Sequence, residues 1–256
     1  MVVMSSPRDR PRPGVGRPKK TALLVAQQIV EDISRRGNTV GDRLPPEHLM
    51  LEEYGVGRGT LRESLRYLEL QGVIVLKPGP GGGPIVQQPD GGTLGATLSL
   101  LLQFENAPFS TIMEARAALE PSIARLATTR IDDAGLERLA ENLRVTREQM
   151  SDQAVFSAQS ERFHELIAWS SGNALFGYLF DALTGLIAGA SMGITYPRRQ
   201  RELTCDIHQD IYTAIADRDA DTASRLMSDH IRDHTTYLEK RFHTALARPI
   251  RWDLDG

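Results

Sequence analysis

A chain of 256 residues with 41% hydrophobic and 25% charged side chains has ordinary globular composition and room for two modest domains, which excludes a wholly disordered or fibrous protein. Its single cysteine, Cys205, excludes an intrachain disulfide and any CxxC redox or cysteine-rich zinc site, and fits a reducing, cytoplasmic setting. The net charge of −3 is unevenly divided: residues 1–86 hold 13 Lys/Arg against 9 Asp/Glu and residues 87–256 hold 17 against 24, so only the first part suits a polyanion such as nucleic acid.

Residues 1–20 are rich in Pro, Gly and Arg with few large apolar side chains, and read as a disordered basic tail. The start lacks the apolar core of a signal peptide, and no later apolar run approaches the roughly 20 residues of a membrane span, so a soluble protein without a membrane partner is expected. Helical periodicity begins with Thr21 as N-cap and runs through Leu23, Ala26, Ile29, Val30 and Ile33 to a stop at Gly37. A short second helix starts near Pro46 with Leu49 and Leu51 inward. A third covers Arg58 to Gln71, with Leu61, Leu65 and Leu68 at i, i+4, i+7. After Gly72, "VIVLK", the turn tract "PGPGGGP" and "IVQQ" form a β-hairpin. Three helices and a hairpin make residues 21–88 a winged helix-turn-helix. Residues 89–96 have linker composition. Residues 97–246 are helix-patterned, with breaks at "NAPFS", "TTRIDDAG", "SSGN", "SMGITYP" and "DRDAD" that divide them into about six helices, and residues 247–256 read as a tail. The expected fold is mainly α, an N-terminal winged helix-turn-helix followed by an all-α antiparallel bundle.

The third helix carries the first chemistry. With its leucines inward, Arg58, Arg62 and Arg66 share the opposite face at i, i+4, i+8, and Thr60 lies in the same first turn. A guanidinium fork fits guanine O6 and N7 in the major groove or clamps a phosphate, and the helix N-terminus adds N–H donors and positive dipole. On an isolated helix the same arginines would be a solvated face paired with Glu63 and Glu69; followed by a wing, they read as a DNA surface.

The stretch from Gly41 to Val86 resembles the DNA-binding domain of GntR-family regulators: Leu44, Pro45, Glu47, Val56, Arg58, Thr60, Leu61, Arg62, Leu65, Leu68 and Gly72 fall on that family's pattern. The resemblance implies that Arg58, Thr60 and Arg62 meet double-stranded DNA at the start of the recognition helix, with Gly79 and its neighbours placing the wing at the minor groove and Lys77 as its cation. Two positions depart from the pattern. His48 stands where a basic residue is usual, and Gly57 stands where a capping Ser or Thr is usual. In the tail, Gly16, Arg17 and Pro18 resemble an AT-hook core, which makes Arg17 a candidate minor-groove contact; the competing reading is a generic basic arm acting through counterion release.

In the helical part, His164 shares a face with Phe156, Phe163 and Ile167, His208 with Ile211, Tyr212 and Ile215, and His230 with Leu226, Met227 and Ile231. One such histidine is usually a hydrogen-bonded core residue. Three on three helices of one bundle favour a shared divalent ion, because unpaired imidazoles are costly to bury. The segments "RAALE", "FHELIAWSSGN", "HQDIYTAIADRD" and "ASRLMSDHI" resemble the FCD-type effector domain of the FadR subgroup of GntR regulators. That resemblance maps His164, His208 and His230 onto metal ligands, and places Ser160 where an Asp ligand is usual. Zn²⁺ or Ni²⁺ suits three imidazoles better than Mg²⁺ does, and the lost carboxylate weakens the case for full coordination. His234 and His243 lie off the motif and read as surface residues. Arg116 is the candidate clamp for an effector carboxylate, with an i+4 surface pair to Glu120 as the competing reading. Asn173 is a candidate effector contact or, alternatively, a helix-start residue.

These readings converge on a homodimeric regulator, a repressor by family habit, that binds a palindromic operator and answers to a small carboxylate-containing metabolite. An acyl-CoA or lipid-like effector is the alternative within regulation, and a constitutive DNA-binding dimer lies outside it. A three-histidine zinc hydrolase with Glu161 or Glu165 as base is the enzymatic competitor. It leaves the winged helix without a use and lacks a nucleophile motif such as GxSxG, so no enzyme is expected.

Overall fold

The computed structural model describes residues 20–79, 82–189 and 193–252, and the chain divides into two compact units, 1–89 and 90–256. In the first, α1 (Lys20–Arg36), α2 (Glu47–Tyr54) and α3 (Arg58–Leu70) precede an antiparallel hairpin of β1 (Ile74–Lys77) and β2 (Gly83–Val86), with Ile74 opposite Val86 and Lys77 opposite Gly83. Val25, Ala26 and Ile29 of α1, Met50 of α2, and Leu61, Leu65 and Leu68 of α3 form one core, closed by Ile74 and Val86. The leucine row of α3 is inward as its spacing predicts.

The phase of the first two helices differs from the sequence reading. Leu23 and Val30 are exposed while Ala22 and Val25 are buried, and Leu49 is exposed while Met50 is buried. In both cases the smaller or more flexible side chain fits the close approach to α3. Polar ties hold the trio: the Ser64 hydroxyl donates to the Ala22 carbonyl at 2.8 Å, and the Tyr54 hydroxyl donates to Asp32 at 2.9 Å. Glu69 accepts the backbone N–H of Leu76 at 3.1 Å and so anchors the wing to α3.

The second unit contains, among the described residues, seven helices: α4 (Gly92–Phe104), α5 (Ser110–Arg130), α6 (Asp133–Glu148), α7 (Gln153–Ser170), α8 (Ala174–Gly189), α9 (Arg198–Ala216) and α10 (Ala220–Leu246). The sequence breaks predict six. The additional boundary lies at residues 149–152, which contain neither Gly nor Pro; there the Asp152 carboxylate accepts the N–H groups of Ala154 and Val155 and starts α7 as an N-cap. Two segments read as irregular are ordered parts of this unit. Helix α4 begins inside the stretch of linker composition and packs on α8. Residues of the expected C-terminal tail pair with the α4–α5 connection: Phe109 N–H donates to the Arg248 carbonyl at 3.0 Å, Ile250 N–H to the Ala107 carbonyl at 2.9 Å, and Ile250 is buried.

The start of α4 depends on a missing side chain. A Cβ on Gly91 would lie 2.2 Å from Asp181 Cβ and 2.6 Å from Ala182 N, closer than atoms can sit. Gly91→Ala must therefore push α4 away from α8. We expect a loss of about 1–3 kcal/mol in the helical unit, measured as an earlier denaturant midpoint, whereas Gly59→Ala, with open space around the new methyl, serves as the control.

Candidate functional site

Four helices of the second unit turn polar residues toward one cavity of about 500 Å³. The lining recurs at helical spacing: Ser160 and His164 on α7, Thr204 and His208 on α9, and His230, His234 and the apolar Leu238 on α10 stand at i, i+4 intervals, while on α5 Arg116 lines the cavity and Glu120, one turn on, is buried beside it. Neighbouring turns supply the apolar lining, from Phe109, Met113, Ile187 and Ile194.

The three sequence-predicted histidines meet there. His230 Nε2 lies 3.1 Å from His208 Nε2 and 3.4 Å from His164 Nε2, and the ligand atoms of all three fall within 4.8 Å of one another. Nitrogens bound tetrahedrally to one zinc-like ion at about 2.0–2.1 Å stand about 3.3–3.4 Å apart; the two contacts of His230 come close to that spacing, and three convergent imidazoles are the donor chemistry that a single divalent ion takes. Burial holds His208 and His230 well below the usual imidazole range, assisted by repulsion among the rings, and burial lowers His164 despite the opposing charge of Glu120. At neutral pH the rings are uncharged and offer lone pairs. Phe163 stacks on His208, with ring centroids 4.2 Å apart and planes inclined by 15°, and so fixes that ring's attitude.

Glu120 orients the cluster. Its Oε2 stands 2.5 Å from His164 Nδ1, and its Oε1 accepts a hydrogen bond from Arg116 Nε at 2.5 Å. Burial would raise this carboxyl, but the charge of Arg116 and the hydrogen bonds from His164 and Arg116 override it and bring it down to about 2. An ionised Glu120 accepts the proton of Nδ1, which leaves Nε2 of His164 as the lone-pair nitrogen facing the other two histidines. Sequence reasoning treated Glu120 only as a helix-surface partner of Arg116. The pair is instead buried, and among the described residues the Nη groups of Arg116 meet no protein acceptor, leaving them to the cavity.

Other positions differ from the sequence reading. His234 is a cavity wall residue rather than a surface one, with Nε2 3.0 Å from the Tyr196 hydroxyl, and burial brings its pKa down to about 3. Tyr196 itself, in the α8–α9 connection, was not singled out by any pattern. Asn173 is not among the residues that line this cavity: its Oδ1 accepts Leu175 N–H at 3.1 Å at the start of α8, the arrangement of a helix-start residue. Ser160 lines the cavity with a buried hydroxyl that has no hydrogen-bond partner among the described residues. Glu161 also lines it, and burial raises its carboxyl to about 7. His243 is exposed.

In the first unit, Arg58, Arg62 and Arg66 are exposed along α3 and Thr60 is half-buried in its first turn. Gly57 precedes the helix in an extended conformation without a side-chain cap, as its missing hydroxyl requires. Arg62 Nε sits 3.3 Å from Glu47 Oε2, a solvent-exposed pair that is readily exchanged for a phosphate or base. Neither Glu63 nor Glu69 is its partner. Lys77 is exposed at the end of β1, and Gly79 turns the wing at φ +94°, a conformation that favours glycine. Arg17 and its neighbours lie outside the described residues. No helix among the described residues is long and apolar enough to cross a membrane.

Residues 21–82 match the profile of bacterial regulatory proteins of the gntR family, and residues 111–233 match the FCD domain. The HTH-type transcriptional regulator YcbG of Bacillus subtilis is 31% identical over 217 residues, covering 84% of this chain and 88% of that protein. The HTH-type transcriptional repressor NanR of Cronobacter sakazakii is 28% identical over 218 residues, covering 83% of each chain. A solved Streptococcus agalactiae GntR structure shares the fold, with a TM-score of 0.69 at 24% identity over 84% of this chain and 99% of its own. With the exposed arginine row on a winged helix and the histidine-lined cavity in a helical bundle, these matches define the chain: it belongs to the GntR family of HTH-type transcription regulators, a DNA-binding domain joined to an FCD effector domain.

Proposed function

We propose that this regulator is a cytoplasmic homodimeric repressor whose hold on a palindromic operator is set by a divalent ion, Zn²⁺ or Ni²⁺, and a small carboxylate-containing metabolite bound in the FCD cavity. The observation that carries the reading is the convergence of three neutral imidazoles beside the Nη groups of Arg116 in one cavity. The ion would be held by His164, His208 and His230 and would act as a Lewis-acidic anchor. Arg116 would take the far side of the ligand's carboxylate through charge-assisted hydrogen bonds. A cavity of about 500 Å³ suits a metabolite, and the apolar side chains in its lining, among them Phe109, Met113, Ile187 and Leu238, favour an acid with a hydrocarbon portion. Repression is supported by the NanR relatives, which carry that name.

On the DNA side, Arg58, Thr60, Arg62 and Arg66 of α3 would enter the major groove, while Lys77 and the turn at Gly79 would follow the adjacent backbone. Two such units related by a dyad read two half-sites, which is why the operator is palindromic.

Three outcomes check the proposal. Arg62→Ala should lose about 1–3 kcal/mol of operator affinity per lost bidentate contact in a gel-shift or anisotropy titration, and full retention would remove α3 from the interface. His208→Ala should keep DNA affinity in the absence of effector while losing bound metal in elemental analysis and the thermal shift given by an organic-acid panel; a variant that still responds would break the link between cavity and effector. Glu120→Gln should weaken zinc affinity roughly 10- to 100-fold against a competing chelator, because the amide no longer fixes the His164 tautomer, and unchanged affinity would assign Glu120 to packing alone.

A further inference from the structure

The donor set around the proposed ion carries no charge of its own. Its three members are imidazoles, and among the described residues no carboxylate joins their cluster. The nearest anion, Glu120, has one oxygen engaged by Arg116 and the other by His164. Glu161 lines the cavity but stands outside the cluster. A divalent ion placed here would therefore share the cavity with an Arg116 guanidinium whose charge Glu120 already balances, and would find no uncommitted anion within its own donor set. One further group is unexplained: the buried Ser160 hydroxyl, one helical turn before His164 on the same face of α7, has no partner among the described residues although burial makes an unmet hydroxyl costly.

We infer that the ion and an organic anion enter this cavity as an interdependent pair, the anion's carboxylate supplying the negative donor that the chain omits, with Ser160 donating a hydrogen bond to that anion. The inference rests on the metal reading proposed above and adds its regulation. The protein holds the ion weakly until the acid arrives, and by linkage holds the acid weakly until the ion is present. The response is thus conjunctive, requiring metal sufficiency and metabolite together. A site that supplied its own carboxylate to the ion would keep the metal resident and respond to the acid alone. The ligand class follows: a small acid with a carboxylate free to bridge the ion and Arg116.

The test uses the full-length protein stripped of metal, with Co²⁺ as the probe ion and acetate as the smallest practical carboxylate. Co²⁺ is titrated with and without millimolar acetate, following both affinity and the visible d–d absorption, which reports the donors around the ion. Acetate should tighten Co²⁺ binding about tenfold or more and shift the absorption bands. Ser160→Asp, which places a carboxylate on that turn, should bind Co²⁺ tightly without acetate and show no further gain on adding it; a melting curve of the same variant establishes that it is folded. Wild-type protein that binds Co²⁺ with the same affinity and spectrum in both conditions overturns the interdependence while leaving the metal reading intact. Wild-type protein that binds no Co²⁺ in either condition overturns the metal reading itself.

Discussion

The effector domain is organised by a single buried carboxylate. Glu120 is almost wholly removed from water, and an isolated charge in that position would be expensive enough to protonate. It stays ionised because its two oxygens face different partners, the Arg116 side chain on its own helix and the His164 ring on α7. The i, i+4 spacing makes the first contact a local property of α5, and the second joins α5 to α7 at the point where the metal-type cluster begins. Removing any one of the three would leave a buried charge or donor without its counterpart, which costs more than the intact trio contributes.

That arrangement also sets what the cavity can do. With Nδ1 of His164 committed to Glu120, its Nε2 is the acceptor, and the rings of His208 and His230 are held uncharged by burial. Neutral, convergent nitrogens bind a cation. The donors that Arg116 and Ser160 turn to the same cavity suit an anion. Both sets open on one space, and the polar groups sit on α5, α7, α9 and α10 at intervals of one helical turn, so a ligand bound there would touch four helices at once.

How much of this was readable from the sequence depends on the range of the interaction. The three histidines were legible because each recurs with apolar neighbours at helical spacing, and the arginine row of α3 because its leucines phase the opposite face. Arg116 with Glu120 was legible as a pair but not as a buried one, since i, i+4 spacing says nothing of which side of the helix meets other helices. Tyr196 and His234 were missed for the same reason, their contact joining residues 38 apart through the tertiary fold. Local misreadings have local causes. Leu23 and Leu49 were placed inward on hydrophobicity, while the packing distance to α3 selects Val25 and Met50. The Gly-rich start of α4 reads as linker by composition, yet a Cβ on Gly91 would strike α8 and one on Gly95 would crowd the Ala182 carbonyl at 3.0 Å.

The same packing shows where a ligand in the cavity can act on the rest of the domain. Helix α4, the first after the wing, lies on α8; α8 lies on α7; and α7 carries Ser160 and His164. Close-packed helices with glycine-sized gaps do not absorb a shift by compression, so a change in the attitude of α7 must be passed on as a displacement or resisted as strain. A ligand that binds both attitudes equally passes on nothing, however tightly it is held. What would discriminate between attitudes is a ligand that spans helices: an ion held by the three histidines would join α7, α9 and α10, and an acid reaching from it to Arg116 would add α5. The carboxylate missing from the protein's own donor set would therefore let an incoming metabolite add a second tie between α5 and α7 to the one that Glu120 and His164 already make.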